Sequence, residues 1–207
     1  MALLSSCSDK KVKQGSISYN IEYQLPDSLN KYLAYLPKSA MVYFKGDSAV
    51  SIQQQNDEST TVITYKPSNF MRVLLRSSAK KYVIDYNKAE QAEEAPARLG
   101  YSYAVASEIR TIAGHKALKY AITDKATGES SEAWFTREVS IIPNSLTMAF
   151  DTTYGVPLAF TTRQNGMVIK TTIKEIKFEP VPEGLFSTPA GYEQLTPKQL
   201  REMPVEN

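Results

Sequence analysis

Polar and apolar residues alternate without a break at the start of the chain's patterned region. Between Ser16 and Leu25 every second residue is apolar, in the order Ile17, Tyr19, Ile21, Tyr23 and Leu25. A period of two is typical of a β-strand with one buried face and one solvated face. Pro26 follows and ends the pattern. The sequence therefore predicts a half-buried first strand whose apolar face carries Tyr19 and Tyr23.

The spacing of the apolar residues changes after this proline. Four of them then recur at i, i+3, i+4 and i+7, namely Leu29, Tyr32, Leu33 and Leu36. This spacing places them on one side of a helix. Asp27 or Ser28 can cap its start, and Pro37 ends it. We therefore expect one short amphipathic helix over 27–37, with Leu29 and Leu33 on its apolar side.

Short runs of β-branched and aromatic residues, separated by turn residues, occupy most of the rest of the chain. They cover 41–44, 49–52, 60–65, 70–75, 82–86, 103–111, 117–123, 131–139, 156–162 and 167–178. Such runs predict an antiparallel meander. Asn165-Gly166 is a favoured tight turn and predicts that the last two runs form a hairpin. A bulge near Lys174-Glu175 would place Ile173 and Ile176 on the same face.

Other segments depart from the strand pattern. Residues 87–100 are acidic and rich in alanine, which predicts a mobile loop or a short exposed helix that could serve as a flap. Residues 143–153 form an irregular connection, and the periodicity is lost after Pro182. Leu195 to Met203 predict a short terminal helix, with Thr196 as its cap and Pro197 at its first position.

These elements together predict a fold that is mainly β with a few short helices. We expect a curved antiparallel sheet, or half-barrel, with a helical plug or lid, because a long one-faced sheet must curl or pack its apolar face. One domain would cover 15–192, followed by a tail over 193–207. An apolar trough of this kind suits an acyl chain or another apolar guest. The candidate lining residues are Tyr19, Tyr23, Leu29, Leu33 and Trp134, with ordinary core packing as the alternative.

Composition excludes several classes of function. The chain has 207 residues, a net charge of +2, one cysteine and one histidine. The charge is too weak to indicate a nucleic-acid partner. One histidine and one cysteine are too few for most metal sites, and they leave little material for a Ser-His-Asp or Cys-His device. We expect no cofactor.

The single cysteine, Cys7, follows Leu4-Ser5-Ser6, which resembles a bacterial lipobox. We expect Cys7 to be the site of lipid attachment, with 1–14 as the remnant of a lipoprotein signal, the lipidated cysteine and a flexible tether. Six residues are too few for a signal peptide, so we expect a truncated leader. The alternative is an incidental cysteine in a cytosolic protein.

Several ordered motifs resemble a known family. They are Gly15-Ser16-Ile17-Ser18-Tyr19, Val42-Tyr43-Phe44-Lys45-Gly46-Asp47, residues 111–117, Glu132-Ala133-Trp134-Phe135-Thr136, residues 154–158, Lys174-Glu175-Ile176 and residues 185–192. In this order they resemble uncharacterised Gram-negative envelope lipoproteins whose fold is similar to the lipoprotein carriers LolA and LolB. The resemblance implies a LolA/LolB-like half-barrel with a helical lid, and export with anchoring through Cys7. This sequence differs from that family at Ala117, because such relatives often carry a cysteine in this region.

Two motifs with catalytic resemblance are better explained as turns. Gly46-Asp47-Ser48 resembles the nucleophile block of one hydrolase class, which also needs an Asp-x-x-His. The only histidine, His115, has Ile112 three residues before it and follows a glycine at a predicted turn. The carboxylates Glu93 and Glu94 lie in the acidic segment, where we expect them to form a solvated surface rather than a catalytic acid/base pair.

The sequence thus favours a non-enzymatic lipoprotein of the periplasm, tethered to a membrane, with the outer membrane favoured. Its expected partners are that membrane, a lipid, acyl chain or hydrophobic peptide, and an envelope protein, but no nucleic acid. The alternative is a structural or partner-docking lipoprotein with a solid core and no small-molecule ligand, which would use its sheet face or the segment 87–100.

Overall fold

The computed structural model describes residues 14–94, 100–164 and 166–203. These residues contain twelve strands in one sheet. The strands are β1 (Gln14–Gln24), β2 (Ser39–Lys45), β3 (Ser48–Gln55), β4 (Glu58–Tyr65), β5 (Phe70–Arg76), β6 (Lys81–Tyr86), β7 (Tyr101–Ile112), β8 (His115–Asp124), β9 (Ser130–Thr136), β10 (Val156–Gln164), β11 (Met167–Lys177) and β12 (Glu193–Leu195).

The order of the strands shows two meanders joined through the first strand. The sheet runs β12-β6-β5-β4-β3-β2-β1-β11-β10-β9-β8-β7. β1 pairs with β2 on one side and with β11 on the other, and every pair is antiparallel except β12 with β6. The predicted fold class, mainly β with a curved antiparallel sheet and few short helices, is confirmed.

The predicted details of β1 and β11 are also confirmed. Ser18 pairs with Glu175 but Tyr19 pairs with Ile173, so Lys174 is an extra residue and forms a bulge. A bulge allows two residues on one strand to oppose one on its partner. Ile173 and Ile176 therefore both contact the central apolar cluster, which lies on the same face as Tyr19.

The helical elements are short. They are α1 (Lys88–Glu94), α2 (Pro197–Glu202) and three 3-10 turns at Asp27–Tyr35, Lys66–Ser68 and Thr152–Tyr154. The helix that the sequence predicted over 27–37 is present as the first of these turns, hereafter the tyrosine turn (Asp27–Tyr35). None of its nine residues is buried. Prolines on both sides limit it to about three 3-10 turns, and its apolar stripe is not buried on the sheet.

The sheet has two faces, which can be followed through the strand registers because successive side chains point to opposite sides. One face, hereafter the helix face, carries Tyr19, Val42, Val62 and Ile84, and α2 packs against it. The other, hereafter the strap face, carries buried residues on β3 to β6, namely Val50, Ile63, Leu74 and Val83.

One half of the helix face is filled by residues 137–155. Phe150 packs against Tyr101 with ring centroids 5.2 Å apart, and it also contacts Phe135 and Phe160. Asn144, only 2% exposed, donates from Nδ2 to the Tyr19 hydroxyl at 3.2 Å. Burial raises the pKa of Tyr19, although the bond to Asn144 opposes the rise. Side chains of this segment and of the sheet thus pack together over the centre of this half.

The strap face of β3 to β6 is covered by the segment that follows β11. Phe186 and Tyr192 pack on the buried row of that face. Arg72 donates from Nη2 to Asp85 at 2.7 Å and from Nη1 to Thr188 at 2.8 Å, which joins the segment to β5 and β6. The chain then pairs β12 with the edge of β6 and places α2 on the helix face. Residues 193–203, which the sequence indicated as a tail, are thus part of the sheet and its cover.

We predict that Tyr19→Phe destabilises the protein by about 1–3 kcal/mol, because it leaves the buried Asn144 amide without its partner. Chemical denaturation followed by circular dichroism measures the free energy of unfolding. Tyr35→Phe is the matched control, since Tyr35 is 66% exposed and should lose nothing measurable. Equal stability of the Tyr19→Phe variant and the wild type would contradict the role of this hydrogen bond.

Candidate functional site

A row of half-buried side chains crosses the helix face on β4 and β5. Thr60, Val62 and Thr64 alternate along β4, and Thr60 and Val62 lie opposite Leu75 and Val73 of β5. These positions are only half-buried, whereas the neighbouring β6 residue of the same face, Ile84, is fully buried. The row is therefore only partly covered by other segments of the chain.

A cavity of about 450 Å³ lies at the Thr60 end of this row. Leu75 and Tyr82 contribute its apolar floor, and Leu200 and Met203 line it from α2 and the residue after it. The remaining lining residues are Tyr35, Pro37, Gln53, Gln55, Glu58, Ser59, Thr60, Arg76, Ser77 and Lys80. The lining is thus mixed, with an apolar centre and polar or charged groups around it.

A second cavity of about 210 Å³ lies at the Thr64 end of the row. Phe70 and Tyr65 line it from the sheet, and Pro143 and Met148 line it from the segment that fills the other half of the helix face. Gln91 of α1 also lines it and donates to the carbonyl of Asn69 at 2.6 Å and to that of Tyr86 at 3.1 Å. The two cavities and the row between them form the candidate groove.

The wall formed by α2 is positioned by a complete capping box. Thr196 Oγ1 accepts from the Gln199 backbone N–H at 3.2 Å, and Gln199 Oε1 accepts from the Thr196 N–H at 2.8 Å. These bonds satisfy donors that a helix start would otherwise leave unpaired. Leu195, just before the cap, is 9% exposed and packs with Ile84. Leu200 is thereby directed over β5 and β6.

The opposite wall is held by hydrogen bonds to the tyrosine turn and the residues after it. Gln55 donates from Nε2 to the Ala34 carbonyl at 2.8 Å. The Tyr23 hydroxyl donates to the Pro37 carbonyl at 3.0 Å, and burial raises the pKa of Tyr23. Tyr35 and Pro37, which line the first cavity, are therefore fixed relative to the sheet.

The five lining residues that the sequence suggested do not form one surface. Tyr19 and Tyr23 lie on the helix face of β1, where Tyr19 is covered by the segment containing Asn144. Leu29 is half-buried in the tyrosine turn and Leu33 is exposed there. None of them lines either of the two cavities.

Trp134 is 7% exposed and belongs to the same buried cluster as Tyr19, but it lies on the other face of the sheet. It is the neighbour of Phe135 on β9, so its ring points to the strap face. The Arg110 guanidinium lies 4.0 Å from the centre of this ring, and the Lys119 ammonium lies 5.7 Å from it. Lys119 in turn pairs with Glu132 at 2.7 Å. The Trp134 ring therefore lies beneath charged side chains on the strap face.

The groove residues that sequence reasoning missed are Leu75, Tyr82, Leu200 and Met203. A signal for the last two was present, because both fall within the predicted terminal helix and share one side of it. Leu75 and Tyr82 belong to predicted strands, but the sequence does not show which apolar strand positions remain uncovered.

The residues weighed for catalysis are far apart in the sheet. Ser48 begins β3 and His115 begins β8, with five strands between them. His115 Nδ1 lies 3.3 Å from Glu138 Oε2, and Glu138 also accepts from the Lys116 backbone N–H. Among the described residues, no group of three or more His, Cys, Asp or Glu side chains could hold a metal ion.

Some of the sequence predictions fall outside the described residues. Cys7 and residues 8–13 of its tether do so, as do residues 95–99 of the acidic segment and Asn165 of the predicted hairpin turn. The part of the acidic segment that is described forms α1. Within the described ranges, every helix is too short or too polar to cross a membrane.

Comparison with known proteins gives information on the fold alone. No protein-family model matches the chain, and no curated protein matches it. Among solved structures, that of PNGF-II is similar, with a TM-score of 0.54 and 12% sequence identity. The similarity covers 91% of this chain but 31% of PNGF-II, so the chain spans about a third of that protein's length.

We predict that Thr196→Ala loosens the α2 wall and costs about 1 kcal/mol, because it removes the N-cap acceptor. Amide hydrogen exchange of residues 198–203 should become faster. Lys198→Ala is the control, since its side chain is 77% exposed on the same helix. Unchanged exchange in the Thr196→Ala variant would show that packing of Leu195 and Leu200 alone holds the wall.

Proposed function

We propose that this protein is a non-enzymatic binding module that holds a lipid, acyl chain or hydrophobic peptide in the groove on its helix face. A second part of the proposal is that Cys7 carries a lipid that tethers the protein to a membrane on the periplasmic side, with the outer membrane favoured.

The observation that carries this proposal is the uncovered row on β4 and β5 between two cavities. Four residue steps separate Thr60 from Thr64, or about 13 Å along a strand. A volume of about 450 Å³ for the first cavity lies within the range of small-molecule sites. An elongated apolar guest would cover Val62 and Val73 and place its ends in the two cavities.

The lining of the groove supports binding rather than bond chemistry. Its central side chains are Leu75, Tyr82, Leu200 and Met203, which stabilise a guest by removing apolar area from water. Hydroxyl and amide groups, such as those of Thr60 and Gln53, can orient a polar end of the guest. A hydrophobic peptide would use the same apolar floor.

We predict that the protein binds the fluorescent fatty acid 11-(dansylamino)undecanoic acid, and that Leu75→Glu weakens this binding at least tenfold. A carboxylate on the groove floor would have to be desolvated by the bound chain. Fluorescence titration measures the dissociation constant. Val105→Glu is the matched control, since Val105 is 68% exposed on β7 and far along the sheet from the groove.

The outcome of that titration separates the alternatives. No binding by the wild type, or equal loss in both variants, would overturn the assignment of the groove. Circular dichroism confirms that each variant is folded.

We predict that Cys7→Ser releases the protein from the membrane fraction of its own host and abolishes incorporation of labelled palmitate. One acyl chain gives marginal membrane binding, whereas several anchor stably. Lys10→Ser is the control for a general effect of changing the tether. Palmitate labelling that persists in the Cys7→Ser variant would contradict attachment at this residue.

We propose protein docking as the second candidate function, because no described strand pairs with the outer side of β7. β7 is an end strand, and its Val105 and Ile109 are each 68% exposed. A cavity of about 230 Å³ next to Ile109 is lined by Leu118, Tyr120, Phe135 and Tyr154 among others. The test is cross-linking to proteins of the cell envelope with a Val105→Ser/Ile109→Ser variant. If this variant loses the cross-linked partners and the wild type does not bind the fatty acid, protein docking replaces ligand binding as the proposed function.

A further inference from the structure

The tyrosine turn presents three large side chains to solvent. Tyr35 is 66% exposed, Tyr32 is 48% exposed and Leu33 is 39% exposed, all within one segment of nine residues. Exposed apolar side chains that occur singly need no explanation, but a cluster of them marks an interaction site.

This exposure is built into the local structure. The Leu29 N–H donates to the Pro26 carbonyl at 2.8 Å, which starts the turn next to the end of β1. The bond from Gln55 to Ala34 ties the other end of the turn to β3. Tyr32, Leu33 and Tyr35 lie in this segment, in which no residue is buried.

The chemistry of the turn is that of an interfacial segment. A tyrosine has an apolar ring and a polar hydroxyl, a combination that is enriched where hydrocarbon meets water in a membrane. The Lys31 ammonium lies 5.0 Å from the centre of the Tyr32 ring, and a lysine at this position can extend its charge to the headgroups. Asp27 accepts a hydrogen bond from the Asn30 side chain at 3.4 Å.

The area of the cluster favours a bilayer over a protein partner. If a fully exposed side chain presents about 200 Å², the three residues together offer about 300 Å². A stable protein interface buries about 800 Å² on each partner. A bilayer needs no matching surface, so a few inserted side chains are sufficient for reversible binding.

We propose that the tyrosine turn docks reversibly on the surface of a lipid bilayer by inserting Tyr32, Leu33 and Tyr35. The neighbouring β3–β4 turn carries Asp57 and Glu58, which offset Lys31 and Lys38. Docking therefore depends on apolar insertion more than on anionic lipids. Tyr35 also lines the first cavity, so the docked protein brings the groove entrance to the bilayer. This inference rests on the exposed turn and does not require that the groove binds a ligand.

The experiment uses the full chain with Cys7→Ser, which removes any lipid anchor. The protein is floated with phosphatidylcholine vesicles, with and without one quarter phosphatidylglycerol, at 0.1 M and 0.5 M NaCl. We expect binding to both kinds of vesicle that changes less than threefold with salt. Tyr32→Ser/Leu33→Ser/Tyr35→Ser in the same background should reduce the bound fraction at least tenfold.

The matched control is Val105→Ser/Ile109→Ser, which removes comparably exposed apolar side chains from the far edge of the sheet and should bind as before. Absence of vesicle binding by the Cys7→Ser protein would overturn the proposal. So would equal losses in the two multiple variants, or binding that needs phosphatidylglycerol and disappears at 0.5 M NaCl. Titration with the fluorescent fatty acid, run on the same proteins without vesicles, tests the groove separately.

Discussion

The structure depends on the need to cover both faces of a single sheet. β4 to β6 carry apolar residues on both sides, with Ile63 and Leu74 on the strap face and Val62 and Ile84 on the helix face. A strand that is apolar on both sides is stable only when something packs on each side. The chain supplies both covers itself, from the segments that follow β9 and β11. The candidate groove is the place where these covers do not meet.

The two edges of the sheet differ in whether another strand pairs with them. β6 is covered by β12, which is only three residues long and parallel to it. β7 has no described strand on its outer side, and its register with β8 shifts between Val105 and Ile109. A bulge of this kind blunts an edge against uncontrolled pairing. The same shift brings Glu108 within 3.0 Å of Lys119, so the irregular segment is attached to the strap face.

Local patterns were sufficient to predict most of the fold, because they depend on neighbouring residues. The strict alternation from Ser16 to Leu25, the bulge near Lys174 and the cap at Thr196 are all of this kind, and each is confirmed. Contacts between distant residues were not predictable in this way. Asn144 meets Tyr19 across 125 positions, and Arg72 meets Thr188 across 116. The groove depends on which strand positions are covered by segments that are distant in sequence. The sequence therefore did not predict that Leu75 lies on its floor.

The two halves of the helix face carry side chains of different size, and this difference explains why the groove lies on only one of them. On β8 to β10 the helix face carries large aromatic rings, and Tyr103 of β7 stacks on Tyr154 with centroids 4.0 Å apart, so rings occupy most of this half and leave a cavity of about 230 Å³ beside Ile109. On β4 and β5 the same face carries threonine, valine, methionine and leucine but no aromatic ring, so these side chains do not fill the space above the strands. Small side chains on a half-covered face leave volume, and the apolar ends of α2 and of the tyrosine turn border that volume. An apolar guest bound there would fill the space above β4 and β5 that the chain's own side chains leave empty.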